Sequence, residues 1–258
     1  MPEIVAITRS VSSSIARCEL THLAREPIDV ARAAAQHHQY EAALAALGCT
    51  VERLPDAPDL PDAVFVEDAA VVLDRIAVVT RPGATSRRPE TASVAAALAR
   101  HRALRTIEAP GTLDGGDVLR VGARLFVGRT GRSNADGIAQ LARFAAEDDL
   151  EVVPVDVRGC LHLKSAVTEF APGRLLVQPD WIDLAPFAGL DLLPVDPAEP
   201  TAANVLRVGP GLIVAAAYPR TRARIEAEGI AVQVIDASEL AKAEGALTCC
   251  SLLVTPSA

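Results

Sequence analysis

Apolar positions in this chain fall in short paired runs. Glu67-Asp-Ala-Ala-Val-Val-Leu leads through a turn to Ile76-Ala-Val-Val-Thr. Asp114-Gly-Gly-Asp-Val-Leu leads through Gly122 to Leu125-Phe-Val-Gly. His162-Leu-Lys-Ser-Ala-Val leads through Pro172-Gly173 to Leu175-Leu-Val, and Asn204-Val-Leu-Arg-Val leads through Gly209-Pro-Gly211 to Leu212-Ile-Val-Ala. Two short apolar runs with a tight turn between them predict a hairpin. Helical periodicity follows three of the pairs, over 88–102, 134–147 and 220–228, and is weak after the third pair. Short strands are predicted at 151–155 and 231–235. Ahead of the first pair, 3–8 alternates as a strand, 27–46 reads as an amphipathic helix stopped by Gly48, and 49–54 reads as the next strand.

The pairs begin at 67, 114, 162 and 204, with a fifth start at Cys249, so the steps are 47, 48, 42 and 45 residues. A period in this range marks a repeated supersecondary unit. The fifth unit, Cys249-Cys-Ser-Leu-Leu-Val, runs out at the C-terminus, and Glu3-Ile-Val-Ala-Ile at the N-terminus can supply its second strand. Pairing the two ends closes a ring and hides the sheet edges. The expected fold is a five-bladed α/β propeller, one domain over 1–258. A plain doubly wound α/β fold is the alternative, and hairpins in place of single strands count against it.

If every unit starts its first strand at one height, Glu67, Asp114, His162, Asn204 and Cys249 converge on the axis. Cysteine is a strong nucleophile as thiolate. Histidine can pass protons near neutral pH, and a carboxylate can orient it. Alternation sets His162 on the face opposite Leu161 and Leu163, and turns the sulfurs of Cys249 and Cys250 to opposite sides. A histidine merely satisfied in a core is the competing reading. His22, His37, His38 and His101 read as solvent-facing, and Cys49 as a small buried hydrophobe.

Asp62, Glu67 and Asp68 put three acids beside the apolar run Ala63-Val-Phe-Val. Burying carboxylates is costly without cations, so this cluster suits a guanidinium, whose planar fork matches carboxylates. A solvated acidic face is the ordinary alternative. Arg87 and Arg132 follow their unit starts by 20 and 18 residues. They should share one rim, where they could take a carboxylate. A ligand with guanidinium at one end and carboxylate at the other is arginine-like.

Composition narrows the partners. The 258 residues carry a net charge of −8 and only 3% aromatics, which disfavours nucleic acid, base stacking and anionic membranes. The longest apolar run, 212–218, is too short for a bilayer and the N-terminus lacks signal-peptide character. A cytoplasmic protein acting on a small molecule, as monomer or homodimer, is expected. The five cysteines have no zinc-site spacing, and no metal is expected.

Five stretches carry a family resemblance: Leu60-Pro-Asp-Ala-Val-Phe-Val-Glu-Asp-Ala-Ala-Val-Val, Thr80-Arg-Pro-Gly-Ala-Thr-Ser-Arg-Arg, Leu113-Asp-Gly-Gly-Asp-Val-Leu, Leu161-His-Leu-Lys-Ser and Leu247-Thr-Cys-Cys-Ser. Together the chain resembles the dimethylarginine dimethylaminohydrolases of the pentein (guanidine-modifying) superfamily. The resemblance implies hydrolysis of Nω-methylated arginines to citrulline and an amine, without cofactor. By motif position it implies Cys249 as nucleophile, His162 as acid/base and Asp114 as the orienting acid, where some relatives have glutamate. It assigns the guanidinium to Asp62, Glu67 and Asp68, the carboxylate to Arg87 and Arg132, and a covering lid to Leu20. An arginine deiminase or an amidinotransferase on the same scaffold, a non-catalytic binding propeller, and a redox role for Cys249–Cys250 are the rival readings.

Overall fold

The computed structural model describes residues 4–255. Their strands form five three-stranded sheets. Four follow one plan, an antiparallel hairpin whose second strand takes a parallel third. In the first unit the strands are Ala70–Val72, Ile76–Val79 and Ala103–Thr106. The next units use Val118–Val121, Arg124–Arg129 and Glu151–Asp156, then Val167–Ala171, Arg174–Val177 and Asp191–Pro194, then Leu206–Val208, Gly211–Ala215 and Val232–Ile235.

The fifth sheet joins the two ends of the chain. Leu252–Val254 pairs antiparallel with Ile4–Arg9, in register Val5↔Val254 and Ile7↔Leu252, and Cys49–Leu54 adds in parallel. This is the expected closure into a five-bladed α/β propeller. Glu3, included in the expected first strand, lies outside the described residues.

The parallel third strand of each unit requires a crossover. Helices Val30–Ala46, Thr91–Leu98, Ala135–Ala145 and Pro219–Ala227 supply four of them. The third unit crosses through two 3₁₀ turns, Pro179–Trp181 and Ala185–Phe187, matching its weak periodicity. The side chains of Asp29 and Asn134 cap two helices by accepting the amides of Arg32 (3.0 Å) and Gly137 (2.8 Å). The helix expected over 88–102 is shorter, because Pro89 sits in a 3₁₀ stretch, Thr85–Glu90, before it. Proline has no N–H for an interior helical bond.

Two sequence expectations fail. His37 is buried, 1% exposed, where solvent exposure was expected. It lies four residues after Ala33 and three before Tyr40, on the buried stripe of its helix. Burial pushes its imidazole down to about 4, so it stays neutral. Nor do the converging residues begin strands. Glu67 and Asp68 lie in the 3₁₀ turn Val66–Ala69, Asp114 and His162 cap the turns Gly115–Asp117 and Leu163–Ala166, and Cys249 lies in the turn Thr248–Cys250. The alternation arguments for His162 and for Cys249 against Cys250 therefore do not apply. The physical reason is donor supply. A first helical turn leaves amides unpaired that a ladder would consume. Here Gly116 N donates to Asp68 Oδ1 (2.9 Å) and Leu163 N to Asp117 Oδ1 (3.0 Å), so buried carboxylates near the axis are met by backbone.

Candidate active site

The paired glycines of Asp114-Gly-Gly-Asp117 let three units meet. A Cβ on Gly115 would stand 2.0 Å from Glu67 O, and one on Gly116 would stand 2.6 Å from His162 Nδ1 and 2.8 Å from Asp68 Oδ1. Only a bare backbone fits between these groups.

Against that wall, His162 is 4% exposed and Asp114 is 0% exposed. His162 Nε2 lies 3.2 Å from Asp114 Oδ2, and its Nδ1 stands 3.9 Å from Asp68 Oδ1, beyond hydrogen-bond range. Asp114 is itself held, with Oδ1 accepting Gly83 N (2.8 Å) and its own amide donating to Ser133 Oγ (3.1 Å). Burial opposes charge on His162, but Asp68, Asp117 and Asp114 outweigh it and raise the imidazole to about 9. For Asp68, burial is outweighed by His162, Arg87 and the Gly116 amide, which hold its carboxyl below the usual range. This pair is an imidazolium beside a carboxylate at neutral pH.

His162 opens on a small cavity shared with Cys249, Asp62, Asp68, Arg87, Arg132, Leu161, Phe65, Glu19 and Glu244. Burial, then the charges of Glu67 and Asp68, push the Cys249 thiol up to about 12. Its neighbour Cys250 faces away. It is 1% exposed, packs in the apolar cluster with Tyr40 and Leu44, and reaches Ala246 O (3.5 Å). A 3₁₀ turn thus separates the two sulfurs, where strand alternation was expected to.

Not every expected binding residue lines this cavity. Asp62 does, accepting the Glu19 amide on both oxygens (3.2 and 3.1 Å), with its carboxyl raised by burial. Asp68 does as well. Glu67 instead lines a separate cavity and accepts from Lys164 Nζ (2.5 Å) and Thr248 Oγ1 (2.9 Å). It touches the turn Thr248–Cys250 through Thr248, the residue preceding Cys249. Leu20 is half-buried against the apolar cluster of Ile15 and Cys18 and is not among the cavity's walls. Its neighbour Glu19 lines the cavity, and Glu244, another wall residue, accepts the amides of Thr21 (2.9 Å), His22 (2.5 Å) and Leu23 (2.6 Å).

The two arginines differ. Arg87 is 4% exposed and already committed, to Asp68, to Glu90 (2.8 Å) and to Phe65 O (2.9 Å). Arg132 makes looser contacts, 3.5 Å to Asp114 Oδ2 and 3.2 Å to Thr21 Oγ1. Sequence reading missed Glu90, Glu19, Glu244 and Asp117. Only Asp117 carried a signal, as the second acid of the glycine motif.

Asp68, Asp114 and His162 offer ligand atoms within 4.8 Å of one another, a spacing a metal could use. Arg87, Arg132 and the imidazolium already supply the positive charge there.

No family model matches the chain. A dimethylarginine dimethylaminohydrolase of Streptomyces coelicolor is 42% identical over 253 residues, covering 98% of this chain and 97% of that protein. The Pseudomonas aeruginosa enzyme of the same name is 34% identical over 226 residues, covering 87% and 89%. The solved structure of a cysteine-to-serine mutant of the P. aeruginosa enzyme, complexed with citrulline, superposes with a TM-score of 0.91 at 32% identity, covering 98% of this chain and 99% of that one.

Proposed function

This chain belongs to the dimethylarginine dimethylaminohydrolase family, and from that premise we propose that it hydrolyses Nω-methylated arginines to citrulline and dimethylamine or methylamine. Cys249 is the nucleophile, His162 the acid/base and Asp114 the carboxylate that orients it. The observation that carries this reading is the imidazole anchored by Nε2 to Asp114, at the wall of a cavity that also holds Cys249 and the carboxylates of Asp62 and Asp68.

Charge accounts for the order of events. In the free enzyme the thiol is neutral and His162 is protonated. A guanidinium held by Asp62 and Asp68 puts positive charge beside the sulfur and lowers the cost of thiolate, whose proton leaves as the cation docks. The thiolate attacks the guanidinium carbon. Nδ1 of His162 gives its proton to the departing amine nitrogen as the C–N bond breaks, leaving an S-alkylthiouronium. The neutral imidazole then takes a proton from water as the water oxygen bonds to the same carbon. The C–S bond breaks, the sulfur recovers its electron pair and takes the proton of the new hydroxyl as that group becomes the carbonyl, and citrulline leaves with the thiol restored. Glu67 acts through Thr248, fixing the turn that presents Cys249. Arg132 takes the α-carboxylate, Arg87 holds Asp68 in place and lines the wall, and Leu20 belongs to the lid. No cofactor enters this scheme. Among the described residues no helix is long and apolar enough to cross a membrane. Our reading places the reaction in the cytoplasm, with the protein as monomer or homodimer.

The test is a citrulline assay with asymmetric dimethylarginine, monomethylarginine and arginine offered separately. Turnover of the methylated substrates supports the reading. Turnover of arginine alone assigns a deiminase to the same site, and no citrulline from any of them removes the proposed reaction.

A further inference from the structure

Asp117 lies outside the cavity and has no part in the chemistry above. It is 0% exposed, and it accepts from two separate segments. Oδ1 takes Leu163 N (3.0 Å), the amide next to His162. Oδ2 takes Thr130 Oγ1 (2.7 Å) and Ser133 Oγ (2.6 Å), which bracket Arg132. Each hydroxyl has one proton, and giving it to Asp117 turns the lone pairs toward backbone donors. Thr130 Oγ1 accordingly accepts the amides of Arg132 (3.1 Å) and Ser133 (3.3 Å), and Ser133 Oγ accepts the amide of Asp114 (3.1 Å). A Cβ on Gly128 would stand 2.9 Å from Asp117 Oδ1, so there is no slack beside the carboxylate.

Resting on the reaction proposed above, we infer that Asp117 is a positioning residue that sets the distance between the two ends of the substrate site. One carboxylate fixes the turn that presents His162 to the guanidinium end and the turn that presents Arg132 to the carboxylate end. It also secures Asp114 through Ser133. Its negative charge helps keep His162 protonated, while burial raises its own carboxyl to about 6 against the pull of His162 and its three donors. An asparagine cannot substitute. Whichever way its amide is turned, an N–H meets either the Leu163 amide or the two hydroxyl protons, and a buried donor loses its acceptor.

The experiment compares dimethylarginine with an alkylguanidine that lacks the carboxylate, using Asp117→Asn, Thr130→Val and Thr130→Ser, with melting followed in parallel. Asp117→Asn should lower kcat on both substrates by roughly 10–10²-fold, the scale of a displaced reacting group, and raise KM for dimethylarginine more than for the alkylguanidine. Thr130→Val should raise KM selectively for dimethylarginine, and Thr130→Ser, which keeps the hydroxyl, should restore it. A folded Asp117→Asn with wild-type kcat and KM overturns the inference and leaves the reaction standing. So does a Thr130→Val whose losses are equal on both substrates and are not rescued by serine. A wild type that turns over no methylated guanidine overturns the reaction, and this inference with it.

Discussion

The imidazole of His162 is anchored by its Nε2, 3.2 Å from Oδ2 of Asp114. That single contact decides which nitrogen is available for chemistry. In the proposed reaction it leaves Nδ1 to exchange protons with substrate and water, and Asp68 Oδ1 stands 3.9 Å from that atom. His162→Ala should lower kcat by roughly 10²–10⁴-fold, the usual contribution of general acid–base catalysis. Near-normal turnover in the purified variant would remove His162 from the mechanism.

The same contact sets a pH limit. His162 must be protonated to release the amine, and its carboxylate neighbours raise it to about 9. With the thiol already deprotonated by the docked cation, the kcat profile should hold through neutral pH and fall on its alkaline side as His162 loses its proton, at about 9. A raised folded-state value also means that the stability contributed by charged His162 is complete below its unfolded value of about 6.5. That stability is lost between there and 9. Melting curves of wild type and His162→Ala should converge across that window. An alkaline limb centred near 7 would contradict the electrostatic account.

The two cysteines should separate cleanly. Cys249→Ser should abolish citrulline production with an unchanged fold. Cys250→Ser should keep turnover and lose stability, because it sets a hydroxyl into the apolar cluster beside Tyr40 and Leu44. With the Cys249 thiol held up to about 12 in the free enzyme, iodoacetamide should alkylate it more slowly at pH 8 than it alkylates a small free thiol. Fast alkylation at Cys249 would mean a preformed thiolate.

The arginines should fail differently. Arg132→Ala should raise KM for amino acid substrates far more than for alkylguanidines. Arg87→Ala leaves Asp68 and Glu90 buried without their shared cation. Removing one partner of a buried pair costs about 3–5 kcal/mol. Arg87→Ala should therefore show a marked drop in melting temperature and impaired activity on every guanidine. A stable Arg87→Ala with a selective KM effect would return Arg87 to direct carboxylate binding.

Gly116→Ala puts a methyl within 2.6 Å of His162 Nδ1 and 2.8 Å of Asp68 Oδ1. It should reduce turnover severely, whereas Gly122→Ala, with open space around its Cβ but φ of +58°, should lower only stability. Comparable activity losses in the two variants would argue against a specific role for the wall at Gly116.

The sequence by itself determined the architecture. Short continuous apolar runs in pairs, repeated at 42 to 48 residues, dictate hairpin units, and a half-unit at each end leaves ring closure as the way to satisfy both edges. It also brought His162 to Asp114 and to the cavity of Cys249, because residues at equivalent places in a repeat return to equivalent places around an axis, while Glu67 and Leu20 fell outside that cavity. Tertiary structure alone decided how each is used. Glu67 and Asp68 are adjacent, yet one pairs with Lys164 beside the turn Thr248–Cys250 and the other faces His162. Arg87 and Arg132 occupy similar places in their units, yet one is locked between Asp68 and Glu90 and the other holds the looser contacts. Asp117 joins two turns that begin 13 and 46 residues away. Local pattern fixes the face and height of a residue. The partner of a buried charge depends on which donors other units bring within about 3 Å, and only the assembled ring sets that distance.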